Sequence, residues 1–208
     1  PHAVEGERDV LMFGGTGYAF TGFAPNTKQN QTALTPARFS WSTVKMHPQN
    51  TAGYVQIQSS DPREMPEVNL NYFVTGADTD MNAILDTVAF VRKGFNTTEA
   101  PVGPVTSVSP PCPPSDILET GYCSDVSVDK NWIQDQAFGH HPTSTNKVGP
   151  DSDPLAVLDT RLRVKGVKGL RVVDASAFPR CPGAFPAVAT FLLSQRATDL
   201  VLEDAGLW

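Results

Sequence analysis

The run LRVVDASAFPRCPGAFPAVATFLLSQRATDLVLED, residues 170–204, constrains the fold more than any other part of the chain. Leu170 to Val173 are apolar enough for a buried strand. A Pro/Gly loop follows. Apolar residues then recur at Ala189, Leu193, Ala197, Leu200 and Val201, the spacing of one helical face, and Val188, Phe191 and Leu192 widen that stripe. One strand and one helix leave an apolar face uncovered unless a sheet supplies neighbours. Strand, irregular loop, helix is also the order that sets a loop and a helix N-terminus against a cofactor.

Upstream, RLRVKGVKGLRVVD reads as two short strands around a Gly/Lys turn. GYVQIQSSDP alternates, with Val55 and Ile57 opposite Gln56 and Gln58, as in a half-buried strand of an antiparallel sheet. PEVNLNYF is a second candidate strand. ADTDMNAILDTVAFVRKGF carries Met81, Ile84, Leu85, Val88, Val91 and Phe95 at helical spacing, with Asp78 or Thr79 as the expected cap and Gly94 near its end. Residues 100–116 hold too many prolines for regular structure. FGGTGYAFTGF is not a nucleotide loop: it lacks the GxGxxG spacing, a clear preceding strand and a following helical pattern. It reads as an aromatic-rich loop lining a pocket.

A chain of 208 residues, 40% apolar, buries a substantial core as one large domain or two smaller ones. Its net charge of −6 comes with no Lys/Arg run, which sets nucleic acid aside as a partner. No apolar run approaches the roughly 18 residues of a membrane helix. The first residues, PHAVEGERDV, show neither an initiator Met nor a signal-peptide core, and read as the middle of a longer chain or a processed terminus.

Of three cysteines, Cys112 and Cys123 bracket CPPSDILETGYC, short enough to close as a disulfide contributing about 3 kcal/mol. Two unrelated thiols are the alternative. Asn30-Gln31-Thr32 and Asn96-Thr97-Thr98 are glycosylation sequons, and with a disulfide they point to a secreted glycoprotein. Cys181 is left as a buried or pocket-lining thiol. No metal site is expected.

The chain has four histidines, and two stand together, His140 and His141, followed by Pro142. The run His141-Pro142-Thr143-Ser144-Thr145-Asn146-Lys147-Val148-Gly149-Pro150 continues through Val157-Leu158-Asp159 and Leu162-Arg163-Val164 to Leu170-Arg171-Val172-Val173-Asp174-Ala175-Ser176. In order and spacing this resembles the "HPxGTxKMGP…VVDxxLRVxGVxGLRVVDAS" pattern of the glucose-methanol-choline (GMC) flavin oxidoreductases. The likeness runs from about 138 to 203. HPQNTAGYVQIQSSDPREMPEVNLNYF, from His47, resembles the start of that family's C-terminal module.

The resemblance implies an α/β (α+β) fold: residues 1–155 forming most of an antiparallel-sheet substrate domain, and residues 156–208 adding a C-terminal strand and helix to a Rossmann-like FAD-binding domain. The Gly-rich FAD-binding unit of the family has no counterpart here. The expected partner is therefore an N-terminal FAD-binding chain cut from the same precursor, with a lone fragment as the alternative. The implied cofactor is FAD, and the implied substrate is an alcohol or another hydroxylated molecule in a secreted, fungal-type enzyme.

The resemblance also assigns residues. His141 takes the position of the base that accepts the substrate hydroxyl proton, a task suited to imidazole; a structural histidine is the alternative. His140 is counted with Phe185 and Thr143 among the substrate-binding residues, although in a strand-like stretch it faces the other way from His141 and packs or hydrogen-bonds behind the site. Thr143 lies among the substrate-side residues. The family's second catalytic position, His or Asn, falls on Phe185, which neither accepts a proton nor holds an alkoxide but adds an aromatic wall. Asp174 and Ala175 are placed near the FAD phosphate–ribityl region, with Asp174 as a simple cap the alternative. Phe185, Pro186 and Ala187 are placed near the pyrimidine end of the flavin, with the Ala187 N–H as donor. Phe185 leaves two further readings: a lyase or photodecarboxylase on the same scaffold, or a non-catalytic flavin-containing binder.

Overall fold

The computed structural model describes residues 5–16, 39–139 and 141–207. They form two compact units, one within residues 1–138 and one within residues 139–208. Asn30 and its sequon, with most of the Gly/aromatic run, lie outside the described residues.

In the first unit, β1 (Val10–Thr16) and β2 (Phe39–Lys45) pair antiparallel, Val10 opposite Lys45 and Thr16 opposite Phe39. Residues 13–16, expected in a loop, are therefore strand. The overlooked signal is the alternation Phe39, Trp41, Thr43 against Ser40, Ser42, Val44. Gly14 lets that face close: a Cβ there would come within 3.0 Å of the Trp41 ring and 3.1 Å of the Phe39 ring. Helix α1 (Ala77–Asn96) packs against this pair, with the Phe95 and Phe39 rings edge to face at 6.1 Å.

The span of α1 matches its periodicity, but its N-cap is Gly76 in the left-handed region (φ 74°) and not Asp78 or Thr79. The cause lies in packing. A Cβ at residue 76 would sit 2.8 Å from the Gln49 carbonyl oxygen, so only glycine fits the junction. Asp80, one turn in, is buried and accepts the N–H groups of Gln49 (2.8 Å) and Asn50 (3.0 Å). Asn50 Nδ2 in turn donates to the Leu70 and Asn71 carbonyls. This ties α1 to the ribbon of β3 (Tyr54–Gln56) and β4 (Glu67–Asn69), which pair antiparallel. The expected half-burial of that ribbon is not met: Val55 and Ile57 are exposed, because the two-stranded ribbon has no second layer among the described residues.

A second helix, α2 (Val126–Gln136), has no counterpart in the sequence reading. Asp125 caps it by accepting the Ser127 N–H at 3.0 Å. Ile133 joins Met81 and Leu85 in the core of this unit, flanked by Phe73, Val88 and Trp132. Beside it Arg92 and Asp129, both buried, form a two-pronged ion pair at 2.6 and 2.7 Å. Cys112 and Cys123 are bridged and buried.

In the second unit α3 (Ala187–Asp204) lies where its periodicity predicts. Ala197 of the helix, with Leu158, Leu162 and Ala177, makes a small core flanked by Val148, Val172 and Leu193. The expected buried strand at Leu170–Val173 is not formed. Leu170 and Val173 are exposed, and the segment is held by one bridge, Arg163 opposite Arg171. It lacks strands on either side within the described residues, so Leu170 and Val173 stay exposed while Val172 packs against the small core. Val188, Phe191 and Leu192 are exposed in the same way, at 71, 77 and 69%. The far end of α3 is clamped: Arg161 reaches Glu203 (3.0 Å) and Asp204 (2.7 Å), and Arg171 also pairs with Asp204.

Candidate active site

The histidine segment and the Asp-Ala-Ser turn are bound into one piece. The backbone N–H groups of Ser144, Asn146 and Val148 donate to the carbonyls of Ala175, Ser176 and Ala177 at 3.3, 3.0 and 3.0 Å. Every second residue of 144–148 thus faces a short 3-10 turn, Ala175–Ala177. Ala177 is fully buried, so the ladder stands on the core of this unit.

Asp174 opens that turn as its cap, accepting the Ser176 N–H at 2.8 Å through Oδ1. The Ser176 hydroxyl donates to the same oxygen and accepts from Asn146 Nδ2 at 3.0 Å. A serine hydroxyl has one proton, so accepting from Asn146 directs that proton to Asp174. The result is a side-chain chain, Asn146 to Ser176 to Asp174, that fixes one carboxylate oxygen while Asp174 stays exposed. The capping alternative for Asp174 is thus observed, and Oδ2 takes no part in it. Asn146 was not foreseen, since nothing local in the sequence joins it to residue 176.

The loop after the turn returns to the histidine. Gly183 (φ 91°) and Ala184 (φ 38°) turn it sharply before Phe185. The Phe185 ring lies 5.6 Å from the His141 ring, with the planes at 76°. That edge-to-face contact is worth about 0.5–1.5 kcal/mol beyond burial. The two positions that the motifs single out therefore meet. Thr143 is half-buried, and its Oγ1 accepts from the Ser144 hydroxyl at 3.2 Å. His140 lies outside the described residues. Cys181 is a free, half-buried thiol on the same loop.

Phe185 leads directly into α3. Pro186 is its N-cap, with no side-chain cap bond and no acidic residue in the first turn. The first helical bond runs from Thr190 N to the Pro186 carbonyl at 2.9 Å. The N–H groups of Ala187, Val188 and Ala189 precede it, and Ala187 is exposed. Such an end carries a partial positive charge and suits a polar or anionic group. On the other flank Lys147 pairs with Asp153 at 2.7 Å and holds that carboxyl below the usual carboxylate range. In the first unit, a separate apolar cleft of about 250 Å³ is lined by Met12, Trp41, Phe90, Val91, Gly94 and Phe95.

Residues 48–194 match the family model described as GMC oxidoreductase. The chain belongs to the GMC oxidoreductase family, in its C-terminal portion. A glucose methanol choline oxidoreductase of Aspergillus terreus is 32% identical over 167 residues, which is 80% of this chain and 25% of that protein. An oxygen-dependent choline dehydrogenase of Vibrio vulnificus is 30% identical over 74% of this chain and 26% of its own length. The chain thus spans about a quarter of the length of the curated relatives it matches. Among solved structures, a formate oxidase of Aspergillus oryzae, studied for the effect of a mutation on FAD modification, superposes with a TM-score of 0.65 at 26% identity. It covers 82% of this chain and 28% of that one. A pyridoxine 4-oxidase from Mesorbium loti shares the fold, with a TM-score of 0.61 at 20% identity over 92% of this chain and 34% of its own. The mixed α/β fold with antiparallel sheet pairing is that of the GMC C-terminal region.

Proposed function

We propose that this chain is the C-terminal part of a secreted, FAD-dependent GMC oxidoreductase in which His141 is the base for oxidation of an alcohol or another hydroxylated substrate. The contact of His141 with Phe185, just ahead of an uncapped helix N-terminus, carries the reading. The residues fit the cofactor. Ala187 N–H and the α3 N-terminus suit the polar end of a flavin, and the outward carboxylate oxygen of Asp174, an acceptor beside Ala175, suits the ribityl hydroxyls of its ribityl–phosphate part. FAD, when bound, supplies the hydride acceptor. The rest falls to the protein. His141 takes the hydroxyl proton as the hydride leaves, because an alkoxide is a far better hydride donor than an alcohol. Phe185 gives a ring face to the substrate and narrows access of water to that proton. The bonded Thr143–Ser144 hydroxyl pair lies within three residues of His141 and is offered to the substrate in this reading.

The expected partner is the FAD-binding portion of the same precursor, seated on the exposed apolar flank of α3 and on Leu170 and Val173. The buried disulfide supports an oxidising, extracellular setting. Aromatic alcohols are the first substrates to try, because Phe185 adds an aromatic surface where the family pattern has a polar group. In the assembled flavoprotein, His141→Ala is expected to slow anaerobic flavin reduction by about 10²–10⁴-fold. Reduction at the parental rate removes His141 as base. The apolar Phe185 also favours a second reading, a flavin-holding binder. Flavin that never bleaches with any alcohol, in protein that still binds those alcohols, supports that one.

A further inference from the structure

We propose that Asn96 carries an N-linked glycan, a modification that rests on the secretory setting inferred above. The sequon Asn96-Thr97-Thr98 straddles the end of α1: Asn96 is its last residue and Thr97 its C-cap. Thr97 N and Oγ1 both turn back to the Gly94 carbonyl, at 3.3 and 2.9 Å, and the Thr98 hydroxyl turns back to Phe95. The sequon threonines therefore close the helix end, while the asparagine takes no part in closing it. The Asn96 side chain is exposed and makes no hydrogen bond among the described residues. Other asparagine amides are used internally: Asn50 on Leu70 and Asn71, Asn71 on Ala52, and Asn146 on Ser176. A sugar on any of those would break a contact that shapes the fold. On Asn96 it breaks none.

The second observation is the buried Cys112–Cys123 bridge in the same unit. Bridges of this kind form where chains meet the oxidising secretory lumen, which is also where such glycans are added. In the transfer Asn96 Nδ2 forms a bond to C1 of an oligosaccharide carried on a lipid pyrophosphate. The C1–oxygen bond breaks, the lipid pyrophosphate leaves, and the amide loses one proton. No oxidant or reductant is required. The hydroxyl two residues on, that of Thr98, is the one the transfer requires; Thr97 occupies the middle position, where any residue but proline is accepted.

The sequence offers a convenient test. No Lys or Arg lies between Lys93 and Lys130, so one tryptic peptide, residues 94–130, holds Asn96 and both bridged cysteines. Native protein is digested without reduction, treated with peptide N-glycosidase in heavy-oxygen water, and its peptides weighed. The expected peptide carries the intact bridge and an Asn96 converted to labelled aspartate. A bridged peptide with unmodified Asn96 overturns the site and leaves the extracellular reading standing. A peptide with free thiols and unmodified Asn96 overturns both. In a secreting host, Asn96→Gln and Thr98→Ala should each remove the glycan mass, whereas Thr97→Ala should keep it. Loss with Thr97→Ala alone would equally contradict the assignment.

Discussion

Removing the carboxylate of Asp129 should be among the most damaging single changes in the first unit. Arg92 and Asp129 are 2 and 1% exposed and share two short charge-assisted bonds. Arg92 also donates to the Pro110 carbonyl at 3.2 Å, and Asp129 accepts weakly from Cys123 N at 3.4 Å. The pair therefore grips both feet of the bridged loop, one on each side of the disulfide. In Asp129→Ala a buried guanidinium is left with Pro110 alone, which costs about 3–5 kcal/mol. Arg92→Met should cost a similar amount, for the converse reason. Replacing both, Arg92→Met with Asp129→Leu, removes both desolvation penalties and should recover most of the loss. The exposed pair Arg63–Asp61 is the control, and Asp61→Ala should fall within about 1 kcal/mol of the parent. Urea unfolding followed by tryptophan fluorescence reads all four variants, since Trp132 flanks the same core. A loss below about 1 kcal/mol for Asp129→Ala, or a double variant no more stable than Arg92→Met alone, would refute the reasoning.

Three further outcomes are expected. Ser144 occupies the left-handed region (φ 73°), where the family pattern has glycine, so Ser144→Gly should stabilise by about 1 kcal/mol in thermal or urea unfolding. A destabilisation would show that its hydroxyl contact outweighs the backbone strain. Phe185→His should confer or raise activity on simple primary alcohols in the assembled enzyme; no change speaks against the placement of that position. Arg171 beside Asp204, with help from Arg161, holds the Asp204 carboxyl below the usual carboxylate range. A depressed carboxyl contributes stability above its unfolded value, near 3.9, and loses it as pH falls through the folded value. Asp204→Asn should therefore weaken the protein at neutral pH, and the difference from the parent should vanish in acid unfolding titrations.

What was legible follows from how local each signal is. Helix α3 needs only its own period, and its span matches. The body of α1 is equally local, but its start depends on Gln49 pressing against Gly76, a contact no window of sequence contains. Helix α2 escaped because a buried position on its inner face is Asp129, whose partner Arg92 lies on another helix, so the apolar period is broken where it matters most. At the candidate site the family resemblance implied that His141 and Phe185 share one site, but their ring contact has no local mark in the sequence. The Asp-x-Ser spacing of Asp174 and Ser176 could have given the cap, but Asn146 has no local mark.

The misread strand at Leu170–Val173 carries the more general lesson. Its composition reports the environment for which the segment is built, and the described residues do not supply that environment. The same holds for Val188, Phe191 and Leu192. Burying three such side chains fully is worth about 1.5–3 kcal/mol each, and most of that is unrealised at their present exposure. A surface that covers them would gain several kcal/mol and would lie along the first turn of α3, beside the free N–H groups of Ala187 and Val188. The flank that lacks a neighbour and the end that lacks a cap are thus one continuous feature. A partner seated on the first would also close the approach to the second, where His141 and Phe185 stand.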